Sequence, residues 1–219
     1  MKNIIFIAPP AAGKGTYSKL LQDKYNIPHI STGDLLRDEV NKGTSLGQEI
    51  AEDMKTGKLI SDDIITNLLK NRLKEEDCNN GYILDGYPRN IAQAKTYEEM
   101  LASLNKDLGL VIYLEVDKDL ALNRALYRVV CPNCGASFNT KIDAFKPKDD
   151  GICDICHHQL ETRKDDNEQT FLKRFDTYLE NTSALINYYQ EKGVLRKIKS
   201  ENNDTNEIML NKIRGVIND

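Results

Sequence analysis

The sequence predicts an α/β fold in which helices cover both faces of a parallel sheet. Short apolar runs alternate with longer segments of helical spacing, and this alternation is typical of such sheets. The first unit is an apolar strand over residues 3–7, a tight loop and a helix over 14–25. A second unit places a helix over 91–104 between apolar runs at 82–84 and 110–114. The two units favour a single core built around one sheet.

The composition is that of an ordinary globular protein. Hydrophobic residues make up 40% and charged residues 29% of the 219 positions, and the net charge of −4 gives no general reason to expect nucleic acid or an anionic membrane as partner. No run approaches the ~20 apolar residues of a membrane span, and the apolar run at the N-terminus is too short for a secretory signal. We therefore expect a cytoplasmic protein.

The remaining elements follow from caps and periodicity. Thr32 can cap a helix that begins near Gly33, and helices are predicted over 47–56 and 62–73. Beyond residue 164, a long helical pattern covers 166–190, a last strand covers 194–198 and a closing helix covers 207–217.

A glycine-poor loop, APPAAGKGT, joins the first strand to the first helix. A strand, loop and helix in this order direct backbone N–H groups and the positive helix end at one spot, which suits a phosphate. Lys14 adds a positive charge there, and Thr16 adds a hydroxyl near a magnesium site. The strict phosphate-loop pattern is not met, because Ala8 replaces its first glycine and Gly15 displaces the hydroxyl to position 16. A loop that merely caps the helix remains an alternative at this point.

Four of the five cysteines form two Cys-x-x-Cys pairs inside a segment, 130–164, that breaks the alternation and is poor in aliphatic residues. They are Cys131, Cys134, Cys153 and Cys156. Their spacing matches two zinc knuckles, and four thiolates would close a tetrahedral site around a structural metal. His157 or His158 as a ligand, and disulfide pairing, are the alternatives. Cys78 is expected to be a small, partly buried apolar side chain.

Two further motifs, together with the loop, resemble the adenylate kinase family. Residues 31–37 read STGDLLR, and residues 81–89 read GYILDGYPR with Gln93 following; both are similar to the monophosphate-binding signatures of that family. The loop is similar to the family form Gly-x-Pro-Gly-x-Gly-Lys-Gly-Thr. Six of the nine arginines fall on family positions, namely Arg37, Arg89, Arg124, Arg128, Arg163 and Arg174. Arginine suits this work because its planar fork binds phosphate oxygens bidentately.

The resemblance implies a P-loop nucleoside monophosphate kinase with a central parallel sheet flanked by helices. Residues 1–219 would form one adenylate kinase unit, with a core of 1–30, 61–129 and 165–219, a mobile monophosphate-binding segment at 31–60 and a mobile zinc-binding lid at 130–164. The implied reaction is reversible in-line transfer of the terminal phosphoryl group of ATP to AMP, giving two ADP. Mg²⁺ would accompany ATP and Zn²⁺ would be structural. We expect a monomer with no nucleic-acid or membrane partner, since both nucleotides bind within one chain in this family.

The resemblance also implies roles for individual residues. The catalytic residues would be Lys14, Arg89, Arg128, Arg163 and Arg174. ATP would be bound by Ala11, Ala12, Gly13, Lys14, Gly15, Thr16, Arg124, Arg128, Ser137, Phe138 and Glu201. AMP would be bound by Thr32, Arg37, Lys58, Leu59, Ile60, Gly86, Tyr87, Pro88, Arg89, Gln93, Arg163 and Arg174. Asp85, at the end of a predicted strand, would orient waters around Mg²⁺, with a turn carboxylate as the alternative.

Several positions depart from the family pattern. They are Ala8, Ala11, Tyr87, Val129, Asn139 and Ser200. Only the alanines of the loop bear on phosphate binding, because a left-handed backbone costs alanine about 1 kcal/mol or more, whereas glycine adopts it freely.

Three questions stay open at the level of sequence. Asp165 and Asp166 precede Glu168 and Gln169 at capping-box spacing, so helix capping and tethering of the lid arginines explain them equally well. The donor could be GTP or the acceptor another monophosphate, although Thr32 and Gln93 favour AMP. A zinc-stabilised nucleotide-binding protein without turnover is the alternative from a different class.

Overall fold

Five parallel strands form the central sheet of the protein, whose computed structural model describes residues 3–56, 60–163 and 166–218. The strands of the chain are β1 (Ile4–Ile7), β2 (His29–Ser31), β3 (Ile83–Asp85), β4 (Leu110–Val116), β5 (Arg128–Val130), β6 (Ser137–Asn139) and β7 (Leu195–Ser200). The sheet has the order β2-β3-β1-β4-β7, while β5 and β6 form a separate antiparallel pair. The predicted parallel sheet is therefore confirmed.

Nine α-helices are present in the described part of the chain. They are α1 (Lys14–Tyr25), α2 (Thr32–Asn41), α3 (Ser45–Thr56), α4 (Asp62–Arg72), α5 (Ile91–Ser103), α6 (Lys118–Leu126), α7 (Glu168–Thr177), α8 (Ser183–Glu191) and α9 (Asn206–Asn218). Short 3₁₀ turns occupy Glu76–Asn80 and Asp143–Phe145, and a π-helical turn occupies Tyr178–Thr182. The described part contains no helix that is both long and apolar enough to cross a membrane.

Both faces of the sheet are buried, as the alternation along β1 shows. Ile4 and Phe6 point into one hydrophobic cluster, and Ile5 and Ile7 point into another on the opposite face. Helices α1, α6, α7 and α9 contribute side chains to the first cluster, whereas α4, α5 and α8 contribute to the second. A strand covered on both faces reads as a continuous apolar run, which is the pattern of residues 4–7.

The neighbouring strands β1 and β3 determine where a ligand-binding crevice lies. The helix that follows β1 packs on one face of the sheet, and the helix that follows β3 packs on the other. The connections therefore diverge and leave a crevice beyond the carboxyl ends of these two strands. Ligands of open α/β sheets bind in such a crevice.

Two helix starts differ from the prediction. Ser31, and not Thr32, caps α2, because its hydroxyl accepts the backbone N–H of Asp34. Asn167 caps α7 by accepting the N–H of Thr170, so Asp166 lies before the cap and the capping explanation for it is wrong. Asp165 lies outside the described residues.

The long helix predicted over 166–190 is divided. Helix α7 buries Phe171 and Phe175 on one face of the sheet, whereas α8 buries Leu185 and Tyr189 on the other. In a continuous α-helix, two residues about four turns apart, such as Phe171 and Leu185, point in directions that differ by only about 40° around the helix axis. One inserted residue increases this difference to about 140°. The π-helical turn supplies that insertion, and the hydrophobic periodicity of α7 and α8 taken singly does not reveal it.

Among the strands of the central sheet and the helices that cover it, the sequence analysis missed strand β2 and helix α6. Strand β2 has only three residues, and the last of them, Ser31, is the cap of α2, so the strand is too short for alternation to be recognised. Helix α6 has nine residues, of which Ala121 and Ala125 bury small side chains that give a weak periodic signal. Asp117 at its N-terminus is the feature that could have indicated it.

The predicted insertion forms a small β-unit. Strands β5 and β6 pair in antiparallel fashion, and isolated bridges join Val130 to Glu161 and Ile152 to Gln159. Its own core contains few aliphatic side chains: two of the four cysteines, Ala136 and Leu160 are its buried members. A core this small is unable to hold a fold without another constraint.

Candidate active site

The loop after β1 has the shape of a phosphate cradle. Gly13 has φ of 91° and is the last residue of the loop, directly before Lys14, where α1 begins. A Cβ at this position would lie 2.8 Å from the ring of Tyr17, so the position accepts only glycine without movement of that ring. The first N–H groups of an α-helix have no partner within the helix, and those of α1 point out of this loop.

The two alanines of the loop differ in backbone conformation. Ala11 has φ of 58°, in the left-handed region that favours glycine. Ala8 is not among the described residues with positive φ, and it is buried against the first hydrophobic cluster. Of the two alanines, therefore, only Ala11 carries the conformational strain of a left-handed backbone.

Replacing Ala11 by glycine should raise the free energy of unfolding by up to about 1 kcal/mol, because glycine adopts positive φ without strain. Replacing Ala8 by glycine should lower it by roughly 1 kcal/mol, since a buried methyl group is lost with no strain to relieve. Denaturant unfolding of the two variants measures the difference. If Ala8→Gly proves as stable as Ala11→Gly, the assignment of the strain to Ala11 is wrong.

The side chain of Lys14, the first residue of α1, extends back over the loop. Its Nζ donates to the carbonyl oxygens of Ala8 and Pro9 at 3.2 and 3.4 Å. Burial lowers the pKa of the ammonium, the nearby Asp85 raises it, and Arg89 and Arg128 lower it further. Lys14 thus lies within electrostatic range of one carboxylate and two guanidinium groups.

Arg174 extends this group of charges. Burial lowers the pKa of Arg89, Asp85 raises it, and the positive charge of Arg174 lowers it again. Four cations therefore converge from separate elements: the start of α1, the loop after β3, strand β5 and helix α7. Asp85, and Asp166 as the partner of Arg128, balance only two of these four positive charges, so the group keeps an excess of positive charge that suits a polyphosphate.

Arg128 is held in place by Asp166. Its Nε donates to one carboxylate oxygen at 2.7 Å, and its terminal nitrogen donates to the other. The carboxylate side chain is only 4% exposed, and the guanidinium is 19% exposed. Such a bidentate pair fixes the plane of the guanidinium group. Of the two explanations offered for Asp166, the contact supports tethering of an arginine.

A cleft lies between the loop, helix α6 and the insertion. Among the residues predicted to bind ATP, it is lined by Ala11, Gly13, Thr16, Arg124, Arg128, Ser137 and Phe138. Tyr17, Asn139, Phe145 and Asn206 also line it, and the sequence analysis missed these four. Glu201 is exposed and does not line the cleft; its backbone N–H bonds to Asp204.

A second group of predicted residues meets at the ends of β2 and β3. The carbonyl oxygen of Gly86 accepts from Thr32 Oγ1 at 3.2 Å and from Arg89 Nε at 2.8 Å. Gly86 has φ of 83°, and a Cβ there would lie 2.8 Å from Thr32 Oγ1. The glycine therefore lets the two predicted AMP-binding residues share one carbonyl. Its neighbours Tyr87 and Pro88 are buried and joined by a cis peptide bond.

The buried amide of Gln93 has a defined orientation. Its Oε1 accepts the backbone N–H of Arg89 at 2.7 Å, and its Nε2 donates to Asp62 Oδ1 at 2.7 Å. A flipped amide would set donor against donor and acceptor against acceptor, so the contacts allow only this assignment. Asp62 is a partner of this site that the sequence analysis did not identify.

The other predicted residues lie around these two groups. Arg37 pairs with Asp34 on the exposed side of α2, and Arg163 is exposed near the end of the insertion. Ile60 lies at the start of the segment before α4, whereas Lys58 and Leu59 fall outside the described residues. Asp85 Oδ2 lies 3.9 Å from His29 Nε2, and burial lowers the pKa of that histidine, with Asp85 and Asp34 opposing the shift.

The four cysteines of the insertion form a candidate metal centre. Their Sγ atoms all lie within 4.8 Å of one another, and all four cysteines are free. Thiolates around zinc at about 2.3 Å in a tetrahedron stand about 3.8 Å apart, so the donor set fits this metal. Neither His157 nor His158 belongs to the cluster, and disulfide pairing is not formed. Lys19 Nζ on α1 donates to the carbonyl of Cys134 at 2.6 Å.

Comparison with known proteins decides the family. The model of the family described as "Adenylate kinase" matches residues 6–194. Adenylate kinases of Thermosipho africanus and Archaeoglobus fulgidus are 47% and 46% identical over 193 residues, which cover 88% of this chain and 89% and 88% of theirs. That of Clostridioides difficile is 42% identical over 90% of this chain and 91% of its own. The chain belongs to the adenylate kinase family.

Three of the six departures from the adenylate kinase pattern have side-chain hydrogen bonds in the structure: Ser200, Asn139 and Tyr87. The hydroxyl of Ser200 accepts from Nη2 of the buried Arg124 at 3.1 Å, so the serine satisfies one nitrogen of a guanidinium that lines the cleft. Burial lowers the pKa of Arg124, and its guanidinium lies 5.9 Å from the ring of Phe145.

Asn139 and Tyr87 are likewise bonded. Asn139 Nδ2 donates to the carbonyl of Arg124 at 3.3 Å, and its Oδ1 accepts two backbone N–H groups at the end of β6. The Tyr87 hydroxyl lies 3.3 Å from Thr66 Oγ1, and its ring packs edge to face with Tyr97. Each of these three substituted residues therefore makes a local hydrogen bond.

Proposed function

We propose that the chain transfers the terminal phosphoryl group of ATP to AMP, reversibly, giving two ADP. Membership of the adenylate kinase family makes it a phosphotransferase of the ATP:AMP class. The observation that carries the proposal is the position of Lys14 at the loop, of Arg128 in the wall of the cleft and of Arg89 at the end of β3. Asp85 and Arg174 lie within electrostatic range of this group. These charges lie where the donor cleft and the ends of β2 and β3 adjoin.

The donor would lie in the cleft that the loop and the insertion share. The N–H groups of residues 11–16 and Lys14 would hold the β- and γ-phosphates, because they combine dipoles with a buried positive charge. Arg124 and Phe138 would pack on the nucleoside, with Ser137 beside them. The contact between Arg124 and Phe145 supports an aromatic and cationic lining at this end of the cleft.

The acceptor would lie beyond the ends of β2 and β3. Thr32, Arg37 and Arg89 would bind the phosphate of AMP, and Gly86, Tyr87 and Pro88 would form the wall beside it. Gln93 would face the base, together with Ile60 and the neighbouring residues Lys58 and Leu59. The orientation of Gln93 supports this, since one N–H of its Nε2 bonds to Asp62 and the other is available to an acceptor on a base edge.

Phosphoryl transfer needs alignment and charge neutralisation more than covalent help from the protein. Lys14 and Arg128 would neutralise the charge that spreads over the transferring group from the donor side, and Arg89, Arg163 and Arg174 would do so from the acceptor side. Asp166 would keep Arg128 aimed at this position. Asp85 would hold Mg²⁺ through water, and the ion would supply neutralisation of the phosphate charge.

We propose further that the four cysteines bind one structural Zn²⁺. Four thiol ligands leave no open position, so the metal would hold the insertion together and take no part in the chemistry. The free thiols also fit a reducing compartment, in agreement with the cytoplasm expected from the sequence. A monomer is sufficient for the reaction, because one chain supplies both nucleotide positions.

A coupled assay with a panel of nucleotides tests the function. ADP should form from ATP plus AMP at a kcat/KM at least about tenfold above that for GTP plus AMP or ATP plus another monophosphate. A higher kcat/KM for GTP would show a different donor, and a higher kcat/KM for CMP, UMP or GMP would show a different acceptor. Turnover with none of the pairs, while nucleotide still binds, would favour a binding protein and contradict the proposal.

A further inference from the structure

The hydroxyl of Thr182 makes a contact that neither its helix nor the proposed reaction accounts for. Its Oγ1 donates to the backbone carbonyl of Arg89 at 3.0 Å, across a sequence separation of 93 residues. Thr182 closes the π-helical turn, in which the N–H of Ser183 bonds to the carbonyl of Tyr178. A single π turn inside a helix frequently marks a functional position.

The neighbouring hydroxyls behave differently. Thr177 Oγ1 donates to the carbonyl of Lys173 at 2.9 Å, and Ser183 Oγ donates to the carbonyl of Leu179. Both are the usual bonds of a helical serine or threonine to the residue four positions earlier. Thr182 instead bonds outside its helix, to the segment that carries Arg89. The π turn rotates the chain between α7 and α8 and so brings this hydroxyl to the loop after β3.

Three hydrogen bonds hold Arg89. Its backbone N–H donates to Gln93 Oε1, its side-chain Nε donates to the carbonyl of Gly86, and its own carbonyl accepts from Thr182. The first two partners belong to the same loop and to the start of α5. Only the third ties this loop to the helix pair that carries Arg174 on α7. The N–H of Arg89 belongs to the peptide before its Cα, and the carbonyl belongs to the peptide after it. The two bonds therefore restrain both peptides that flank the residue, and the direction of its side chain is restricted with them.

We propose that Thr182 is a positioning residue for Arg89 and, through it, for the phosphate of the acceptor nucleotide. The proposal rests on the function proposed above, in which Arg89 binds AMP. Thr182 itself touches neither nucleotide. Its hydroxyl sets the position of the Arg89 peptide relative to α7, and so the spacing of Arg89 and Arg174 about one phosphate.

The test compares Thr182→Val with Thr182→Ser and with a matched control, Thr177→Val. Valine keeps the shape of threonine and removes the donor, serine keeps the donor, and Thr177 lies on the preceding turn with a hydrogen bond inside its own helix. Thr182→Val should raise KM for AMP and the dissociation constant for AMP about threefold to tenfold, as expected for the loss of one hydrogen bond. KM for ATP should stay within about twofold.

The serine variant should regain the AMP affinity of the parent, and Thr177→Val should keep it. In an Arg89→Ala background, Thr182→Val should cause no further loss of AMP affinity, because the group that it positions is gone. The proposal would be overturned if Thr182→Val weakened ATP and AMP binding equally, or if Thr182→Ser weakened AMP binding as much as Thr182→Val. It would also be overturned if Thr182→Val caused its full loss of AMP affinity in the Arg89→Ala background.

Calorimetric AMP binding separates this proposal from the proposed function. If the parent protein binds AMP and shows no transfer, the phosphotransferase assignment fails, and the ranking of the three variants in AMP affinity still decides the role of Thr182. If Thr182→Val leaves AMP affinity unchanged in an active enzyme, the positioning role fails and the phosphotransferase assignment stands.

Discussion

Replacing Lys14 by methionine should lower kcat/KM for phosphoryl transfer by about 100-fold or more, with little loss of stability. The expected size of this decrease in kcat/KM follows from the removal of one charged donor in a preorganised site. Methionine keeps most of the length of the side chain, and the bonds that it removes are those from Nζ to the carbonyls of Ala8 and Pro9. Steady-state kinetics with ATP and AMP, together with the thermal midpoint, measure the two effects.

Lys24→Met is the matched control for this variant. Lys24 lies in the last turn of the same helix with an exposed side chain, so its removal changes the net charge equally without touching the loop. It should retain the activity of the parent. If Lys14→Met keeps more than about a tenth of the parental kcat/KM, the phosphate role of Lys14 is much smaller than proposed.

Replacing Cys153 by serine should abolish stable zinc binding and unfold the insertion while the central sheet persists. Structural zinc contributes about 10–16 kcal/mol of apparent binding energy in zinc-finger peptides, and this segment has little other core to replace it. Elemental analysis should find about one zinc per parent chain and none in the variant. Hydrogen exchange should show loss of protection in β5 and β6, and activity should fall because Ser137, Phe138 and Phe145 line the donor cleft.

Cys78→Ser provides the control with the same substitution. Cys78 is buried beside Arg72, outside the cluster, and burial raises the pKa of its thiol to about 11. The variant should keep its zinc and the protection of the insertion. Zinc retained by Cys153→Ser, or a parent chain without metal and with its thiols free, would contradict the proposed centre.

The local features of the site could be predicted from the sequence. An apolar run of four to five residues before Lys14 indicates a buried strand, loop and helix. The helices predicted from residues 62 and 91 begin at those residues in the structure, where Ser61 and Asn90 cap them. The two Cys-x-x-Cys pairs indicate a shared centre because each pair needs only a tight turn to bring its two sulfur atoms together. These signals are carried by residues a few positions apart.

The contacts between distant segments could not be predicted in this way. The sequence left two explanations for Asp166, and only the structure shows its carboxylate bonded to Arg128. Ser200 departs from the family pattern without an evident reason until Arg124 is found beside it. Asp62 and Thr182 carry no motif at all, yet their side chains contact Gln93 and Arg89.

The order and spacing of residues along the chain were sufficient to predict the fold class, the family, the strand–loop–helix unit at Lys14 and the clustering of four cysteines. Each depends on the order and spacing of residues within a segment, where backbone geometry restricts what neighbours do. Only the tertiary structure decided how the segments face one another: the crevice between β1 and β3, the π turn that sends α7 and α8 to opposite faces of the sheet, and the meeting of Lys14, Arg89, Arg128 and Arg174. Packing between distant parts of the chain sets these relations, and no local pattern encodes them.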